Sequence, residues 1–508
     1  MPVSFSSIPA NWKMPLYWVE VDPSMAGSLT LRQPALLFGY KLAAGVGAVD
    51  VPVPIGSVSE AQHLAGVGSM LDAMAQIFFK GSASQELWMM PLAEPEGGVA
   101  ATGAITVAHA PSQAGTIYPY IAGRRVPVGI AADDTTAGVA ASIAAAITAD
   151  RSMEVTATAA AAAVNLTARH KGEQGNDIDF RINYGGTLAG ELMPAGLDFT
   201  LSNSGKLSGG TGVPDLSAAI AALGDEQYEF VAFPFTDSTA LDAIETEYGF
   251  GDSGRWGWMR ELYGHVFSAR RGTYADLLTW GPNNNSGVVS VMAMERGVPS
   301  PAWHVAAAYT AKAGRALIND PARPLQTLGL DGILPAPKNE RFLLAEANNL
   351  AGVGLATQGV DASNRVTIRR ETTTYQKNLY DQGDDAYELV TTLATLAALL
   401  RRQKGAITTK FPRHKLADDG TRFGPGQAVV TPKIIKAELV AQYRLDEFNG
   451  LVENAKAFKD NLIVERDSNN PNRVNVLYPP DLINQLRLFA TLAQFRLQYN
   501  RGVDTAVA

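Results

Sequence analysis

The chain has 508 residues, 46% of them hydrophobic and 18% charged, with a formal net charge of -8 and no cysteine. This length suggests roughly two to four domains, and the acidic balance argues against nucleic acid as the main partner, since phosphate binding needs a basic surface. Without cysteine there are no disulfides, thiolate metal sites or cysteine nucleophiles, and no apolar run approaches the ~20 residues that insert across a membrane.

The opening "MPVSFSSIPANWK" lacks the basic and apolar regions of a secretory signal, so a soluble protein made in a cytoplasm is expected. Pro2, Pro9, Pro15 and Pro23 deny helix to the first 25 residues, while "LYWVEVD" from Leu16 is rich in strand formers. This is an extended arm with an embedded strand. "QPALLFGYKL" predicts a buried strand. Ser57 and Glu60 then have capping-box spacing ahead of "AQHLAGVGSMLDAMAQIFFKG", read as one helix closed by Gly81. "ELWMMPL" returns as a buried strand.

From Gly97 the texture changes. "GAITV", "TIYPYIAG" and "RRVPVGI" predict short strands, followed by a helix with Val139, Ile143 and Ile147 on one face. "VNLTARHKG" and "DIDFRINYGG" are further strands, and "LSGGTGVPDL" is a glycine-rich exit. Residues 97–212 read as a small α/β insertion domain with flexible joints at both ends. Beyond it strands ("YEFVAFPF", "GHVFSARRG", "VVSVMAME") alternate with helices ("STALDAIETEYGF", "SPAWHVAAAYTAKAGRAL"), the beat of a layered α/β core. Residues 26–96 and 213–370 are expected to form that core, split by the insertion.

Residues 371–508 read as a C-terminal helix-and-hairpin domain. Leu389, Leu393, Leu396 and Leu400 trace a helix stripe ending on Arg401 and Arg402, where cations suit the dipole. Thr431 and Pro432 start a long helix whose inner face is read as Ala437, Ala441, Leu445, Phe448, Val452 and Ala455. "NLIVERD" and "NRVNVLY" flank the turn "SNNPN" and predict a hairpin. After Pro479 and Pro480 the tail admits two readings: a helix stripe through Leu482, Leu486, Phe489 and Ala493, or a strand in "QFRLQYN" with Phe495, Leu497 and Tyr499 on one face. The strand is preferred. The whole is an α/β (α+β) multidomain chain with an arm at each end.

Candidate chemistry is sparse. "GDSG" around Ser253 matches the nucleophile surroundings of trypsin-like proteases, but Arg255 and Trp256 stand where that motif continues with Gly and Pro, and no histidine motif accompanies it. A polar loop is the simpler reading. The six histidines are scattered without metal-ligand spacing, "GGTG" at 209–212 lacks the Lys-Ser/Thr of a phosphate loop, and "DQGDDAYE" lacks calcium-loop spacing. No enzyme, cofactor or metal is expected. What remains is architecture. Terminal strands need a sheet edge to pair with, and the hairpin at 461–478 has two. If arms of one copy pair with hairpins of the next, the contact is heterologous and builds an open helical polymer.

The long stretches "LTARHKGEQGNDIDFRINY", "GGTGVPDLSAAIAALGDEQYEFVAFPFTD" and "IVERDSNNPNRVNVLYPPDLINQLRLFATLAQFRLQY" resemble the tail sheath proteins of contractile bacteriophages, in particular the Mu-type branch. The resemblance implies a virion protein, assembled in the host cytoplasm, that polymerises with itself as stacked hexameric rings around a tail tube. Its further partners are baseplate and tail terminator proteins. It implies contraction that drives the tube through the host envelope without nucleotide. Mapped by position, it implies strand donors at Leu16, Tyr17, Trp18, Val19 and Val21 and at Leu488, Phe495, Leu497 and Tyr499. It implies strand acceptors at Leu462, Ile463, Val464, Val474, Val476 and Tyr478, with Lys456 and Lys459 as candidates for tube contact. The competing readings are a capsid, baseplate or surface-layer subunit, and a hydrolase centred on Ser253.

Overall fold

A computed structural model of the protein describes residues 32–497. Its largest element is an eight-stranded sheet in the spatial order 366–370, 356–360, 289–295, 265–272, 230–232, 35–40, 87–92, 53–55. The inner strands run parallel, and each edge strand is antiparallel to its neighbour. Burial on both faces explains the continuous apolar runs: every residue of Ala35–Tyr40 and Val289–Glu295 is buried. Helices Met70–Gly81 and Ala302–Asn319 pack against this sheet and each other.

One expected helix is two. Val58–Ala65 and Met70–Gly81 are separate, because Gly66 and Gly68 adopt left-handed φ values of 89° and 80°. Ser57 caps the first, as its spacing with Glu60 predicts, and Ser69 caps the second by accepting from Asp72 N at 3.0 Å.

The inserted segment forms a four-stranded antiparallel sheet in the order 198–201, 100–109, 163–171, 155–160, covered by helix Thr136–Ala149. Val139, Ile143 and Ile147 are fully buried there, as their spacing predicts. The strands Val155–Ala160 and Asp198–Leu201 have no counterpart in the sequence reading. Alanine favours helix, yet the alanine-rich stretch folds as a hairpin around Ala161, at φ 51°, because that register places Val164 and Leu166 in the core.

The joints are not loose. Val99 exchanges backbone hydrogen bonds with Thr211 at 3.0 and 3.1 Å, and Thr102 with Ser208 at 2.9 Å, zipping entry to exit. A polar seam then fixes the insertion to the sheet. His170 Nε2 accepts from Met70 N at 3.0 Å while Nδ1 lies 3.0 Å from Glu94. Glu154 accepts from Trp303 Nε1 at 2.7 Å and meets His304 Nε2 at 2.9 Å. Burial pushes the Glu154 carboxyl up, but the charge and hydrogen bonds of His304, with the bond from Trp303, outweigh it and hold it below the usual range.

This docking fills a place where doubly wound sheets bind ligands, the crevice at which strand order reverses. Here the reversal lies between Ala35–Tyr40 and Phe230–Ala232. Tyr40 Oη donates to Gln174 at 3.1 Å, and Arg271 Nη2 pairs with Asp177 at 3.2 Å. The insertion therefore lines the crevice with its own residues 174–177, beside a remaining cavity of about 380 Å³.

His265, at the start of strand 265–272, is buried beside Phe267, and its Nε2 has no hydrogen-bond partner. Burial pushes its pKa down to about 3. The folded state thus favours the neutral ring: its stability is intact above the ordinary value near 6.5 and falls as acid charges the unfolded chain first. Between about pH 7 and pH 5 this group should cost ~2 kcal/mol. His265→Phe should flatten that part of the pH–stability curve measured by urea unfolding.

Candidate functional site

The C-terminal part is built on helices Val390–Lys410, Pro432–Phe448 and Ala455–Asn461. The first does not end at Arg401 and Arg402 but continues to Lys410. Arg401 instead reaches Glu229 in the core at 2.7 Å, and Arg402 pairs with the buried Asp446 at 2.7 Å. Two mid-helix arginines thus fasten this helix, one to the core and one to helix Pro432–Phe448.

Thr431 caps helix Pro432–Phe448 as its sequence predicts. The face turned inward is not the expected one. Ile435, Leu439, Tyr443 and Asp446 are buried, whereas Ala437 and Ala441 are exposed, as are Leu445 at 58% and Phe448 at 89%. The inner stripe wins because Tyr443 stacks on Phe458 with ring centroids 3.7 Å apart and its hydroxyl donates to Glu453 O at 2.7 Å. The helix also stops at Phe448. Val452 and Ala455 belong to the following turn and to a short helix that begins after Asn454, at φ 58°. Lys456 and Lys459 sit on that short helix, where Lys456 is 91% exposed and pairs with Asp460 at 3.0 Å.

The predicted hairpin is present. Ile463–Arg466 pairs antiparallel with Val474–Leu477 in the register Ile463↔Leu477 to Arg466↔Val474, around a turn held by Asp467. Val464, Val474 and Tyr478 pack on the small core below, while Ile463, Val476 and Leu477 are 50%, 39% and 58% exposed. Leu462 is buried as the cap of the preceding helix and, like Tyr478, lies outside the strands. The sheet has two strands, and among the described residues nothing pairs with either outer edge. An isolated two-stranded sheet is marginal in water.

The tail after the prolines is neither helix nor strand among the described residues. Residues 481–487 are stitched to the body: Ile483 N donates to Leu451 O at 3.1 Å, Gln485 to Ala322 O at 2.6 Å, and Arg487 pairs with the fully buried Glu371 at 3.0 Å. Past Arg487 the chain leaves its own fold. Leu488, Phe489, Leu492, Phe495 and Leu497 are 85–97% exposed. Of the donor residues, Leu16, Tyr17, Trp18, Val19, Val21 and Tyr499 lie outside the described residues. The anchor Arg487–Glu371 is absent from the sequence reading; no local pattern joins residues 116 apart.

Ser253 lies in an exposed loop and has no side-chain hydrogen bond to a base among the described residues. The loop is organised by its neighbours. Arg255 is fully buried, and a Cβ on Gly254 would run into Gly249 O. No group of His, Cys, Asp or Glu among the described residues is placed to hold a metal ion, and no helix there is long and apolar enough to cross a membrane.

Family models match the chain in two places: the phage tail sheath protein central domain over residues 209–374 and the phage tail sheath C-terminal domain over residues 382–496. The Mu-like prophage FluMu tail sheath protein of Haemophilus influenzae is 40% identical over 499 residues, spanning 98% of this chain and 100% of that protein. Similar solved structures include a sheath tail protein of Desulfitobacterium hafniense, 12% identical with a TM-score of 0.48 over 92% of this chain and 97% of that one. The helical sheath of the anti-feeding prophage in its contracted state is 12% identical, with a TM-score of 0.46 over 96% and 99%.

Proposed function

The chain belongs to the phage tail sheath family, and from that premise we propose that it polymerises as stacked hexameric rings around a tail tube in the virion and contracts to drive the tube through the host envelope. The observation that carries this reading is the pairing of an open two-stranded hairpin with an apolar tail that leaves its own body at Arg487. Each is an incomplete sheet, and the missing strands are supplied by neighbouring copies. Such strand exchange keeps subunits linked while their bodies move between two packings, and the difference between those packings drives contraction.

The proposed acceptors are the outer edges of Ile463–Arg466 and Val474–Leu477; the proposed donors are Leu16 to Val21 and the tail through Leu488, Phe495 and Leu497. Lys456 and Lys459, together with the exposed Leu445 and Phe448, are the proposed tube-facing surface. Baseplate and terminator proteins would cap the polymer, which assembles in the host cytoplasm.

Purified protein should form long tubes by negative-stain microscopy, and removing residues 1–25 should leave a folded protein that forms none. Closed shells or flat sheets from the intact chain would overturn the sheath geometry, and tubes from the truncated chain would remove the first arm from the mechanism.

A further inference from the structure

A basic cleft of about 870 Å³ opens at the carboxyl ends of strands His265–Gly272 and Val289–Glu295, where Gly272 and Arg296 line it. Its cations are Arg181, Lys206, Arg296 and Arg341, against Glu340 and Glu346. Two of the four are already occupied: Arg181 by Asp179 at 2.7 Å, and Arg341 by Ala336 O and Asn364 at 2.8 and 2.9 Å. Of the other two, one is unpaired among the described residues and one holds only a long ion pair. Arg296 is exposed and makes no hydrogen bond or ion pair through its side chain among the described residues. Lys206 has no hydrogen-bond partner, and its ion pair with Asp179 is long, at 3.8 Å. Burial, then the charge of Arg271, pushes Lys206 down to about 8, so an arriving carboxylate would be favoured by both groups. Phe342 and Leu343 add an apolar wall, with Leu343 68% exposed.

The complement of this cleft lies at the other end of the same sheet. Residues 377–385 form a tight turn pinned ahead of strand Val289–Glu295, where Asn285 Oδ1 accepts from Gln376 N and Lys377 N at 2.8 and 3.0 Å. Asn378 Oδ1 holds the tip, accepting from Tyr380 N at 2.9 Å and Gln382 N at 3.1 Å. This ordered tip presents Leu379 and Tyr380 outward, 101% and 84% exposed, beside Asp381, Asp384 and Asp385. Asp385 has no partner for its carboxylate among the described residues. Apolar side chains held on a rigid turn in water, with spare negative charge, match a cleft with an apolar wall and spare positive charge.

We propose that the tip at 379–385 of one copy docks in the Arg296 cleft of the next. The seven-residue strand between them separates tip and cleft by roughly 23 Å, so one copy cannot satisfy itself. Two different surfaces at opposite poles make a heterologous contact, which repeats without closing. The contact rests on the polymer reading above and adds to it a body-to-body interface independent of the arms.

The test uses the full-length protein and its lack of cysteine. Copies carrying Arg296→Cys are mixed with copies carrying Tyr380→Cys, assembled and oxidised. Disulfide-linked dimers should form in the mixture and not from either variant alone; no cross-link in tubes of normal length overturns the contact. Independently, Arg296→Glu and Asp385→Arg should each raise the critical concentration for tube assembly about tenfold, and the two combined in one chain should return it to within about threefold of the parent. Single variants that assemble at the parent concentration overturn the docking while leaving the sheath polymer intact. Failure of the parent itself to polymerise would overturn the polymer reading, and the contact with it.

Discussion

A chain ending at Arg487 is expected to fold as the full-length protein does and to form no tubes. A run of stitches ties the last segment to the body up to this point, from Tyr443 Oη accepting from Asp481 N at 3.0 Å to Arg487 on Glu371. Residues 488–497 bury almost nothing in their own subunit, so their removal should change stability by no more than ~0.5 kcal/mol. The same residues are the proposed donors, and without them the hairpin edges of the next copy stay open. A second truncation separates the two effects. Ending the chain at Pro480 also removes Arg487 and leaves the Glu371 carboxylate buried without its cation, a loss of about 3–5 kcal/mol. Calorimetry should therefore show an unchanged melting temperature for the first truncation and a clear drop for the second, while microscopy shows no tubes for either. Tubes of parental length from the chain ending at Arg487 would exclude the C-terminal arm as a donor.

The hairpin was legible because its signals are local: strand formers on either side of the turn "SNNPN". The core strands were legible for the same reason, since Ala35–Tyr40 and Val289–Glu295 are apolar runs of strand length. What failed depended on partners far away in sequence. Helix Pro432–Phe448 carries two apolar stripes on nearly opposite faces, and only Tyr443 stacking on Phe458 decides which turns inward. Arg401 and Arg402 resemble a helix end until Glu229 and Asp446 are seen opposite them. One miss had a readable signal. Ser69 and Asp72 repeat the capping spacing of Ser57 and Glu60, right after two glycines, and mark a second helix start. The proposed site itself stayed half legible, because the strands that would finish the hairpin belong to other copies.

The question raised by "GDSG" resolves into a stability prediction in which the neighbour matters and the serine does not. Arg255 has no exposed surface. Its guanidinium donates to Glu226 O at 2.6 Å, Gly224 O at 3.1 Å and Leu223 O at 3.4 Å, and it pairs with Glu247 at 2.8 Å. It also lies 5.1 Å from the ring centre of Tyr248. One side chain thus ties the loop to the turn at 223–226 and to helix Ser238–Tyr248. Arg255→Ala would strip donors from these carbonyls and open a cavity, which should cost about 3–5 kcal/mol. Glu247 retains Arg260 at 3.0 Å, which keeps the loss within that range. Arg255→Lys keeps the charge but not the planar fork, so it should recover only part of it. Ser253→Ala should fall within ~0.5 kcal/mol of the parent, because that exposed side chain holds nothing. Urea unfolding of the three variants should therefore rank them Ser253→Ala, Arg255→Lys, Arg255→Ala from most to least stable. If Ser253→Ala proved as damaging as Arg255→Ala, the loop would have to be held together by its serine, and the reading of this motif as scaffold would fall.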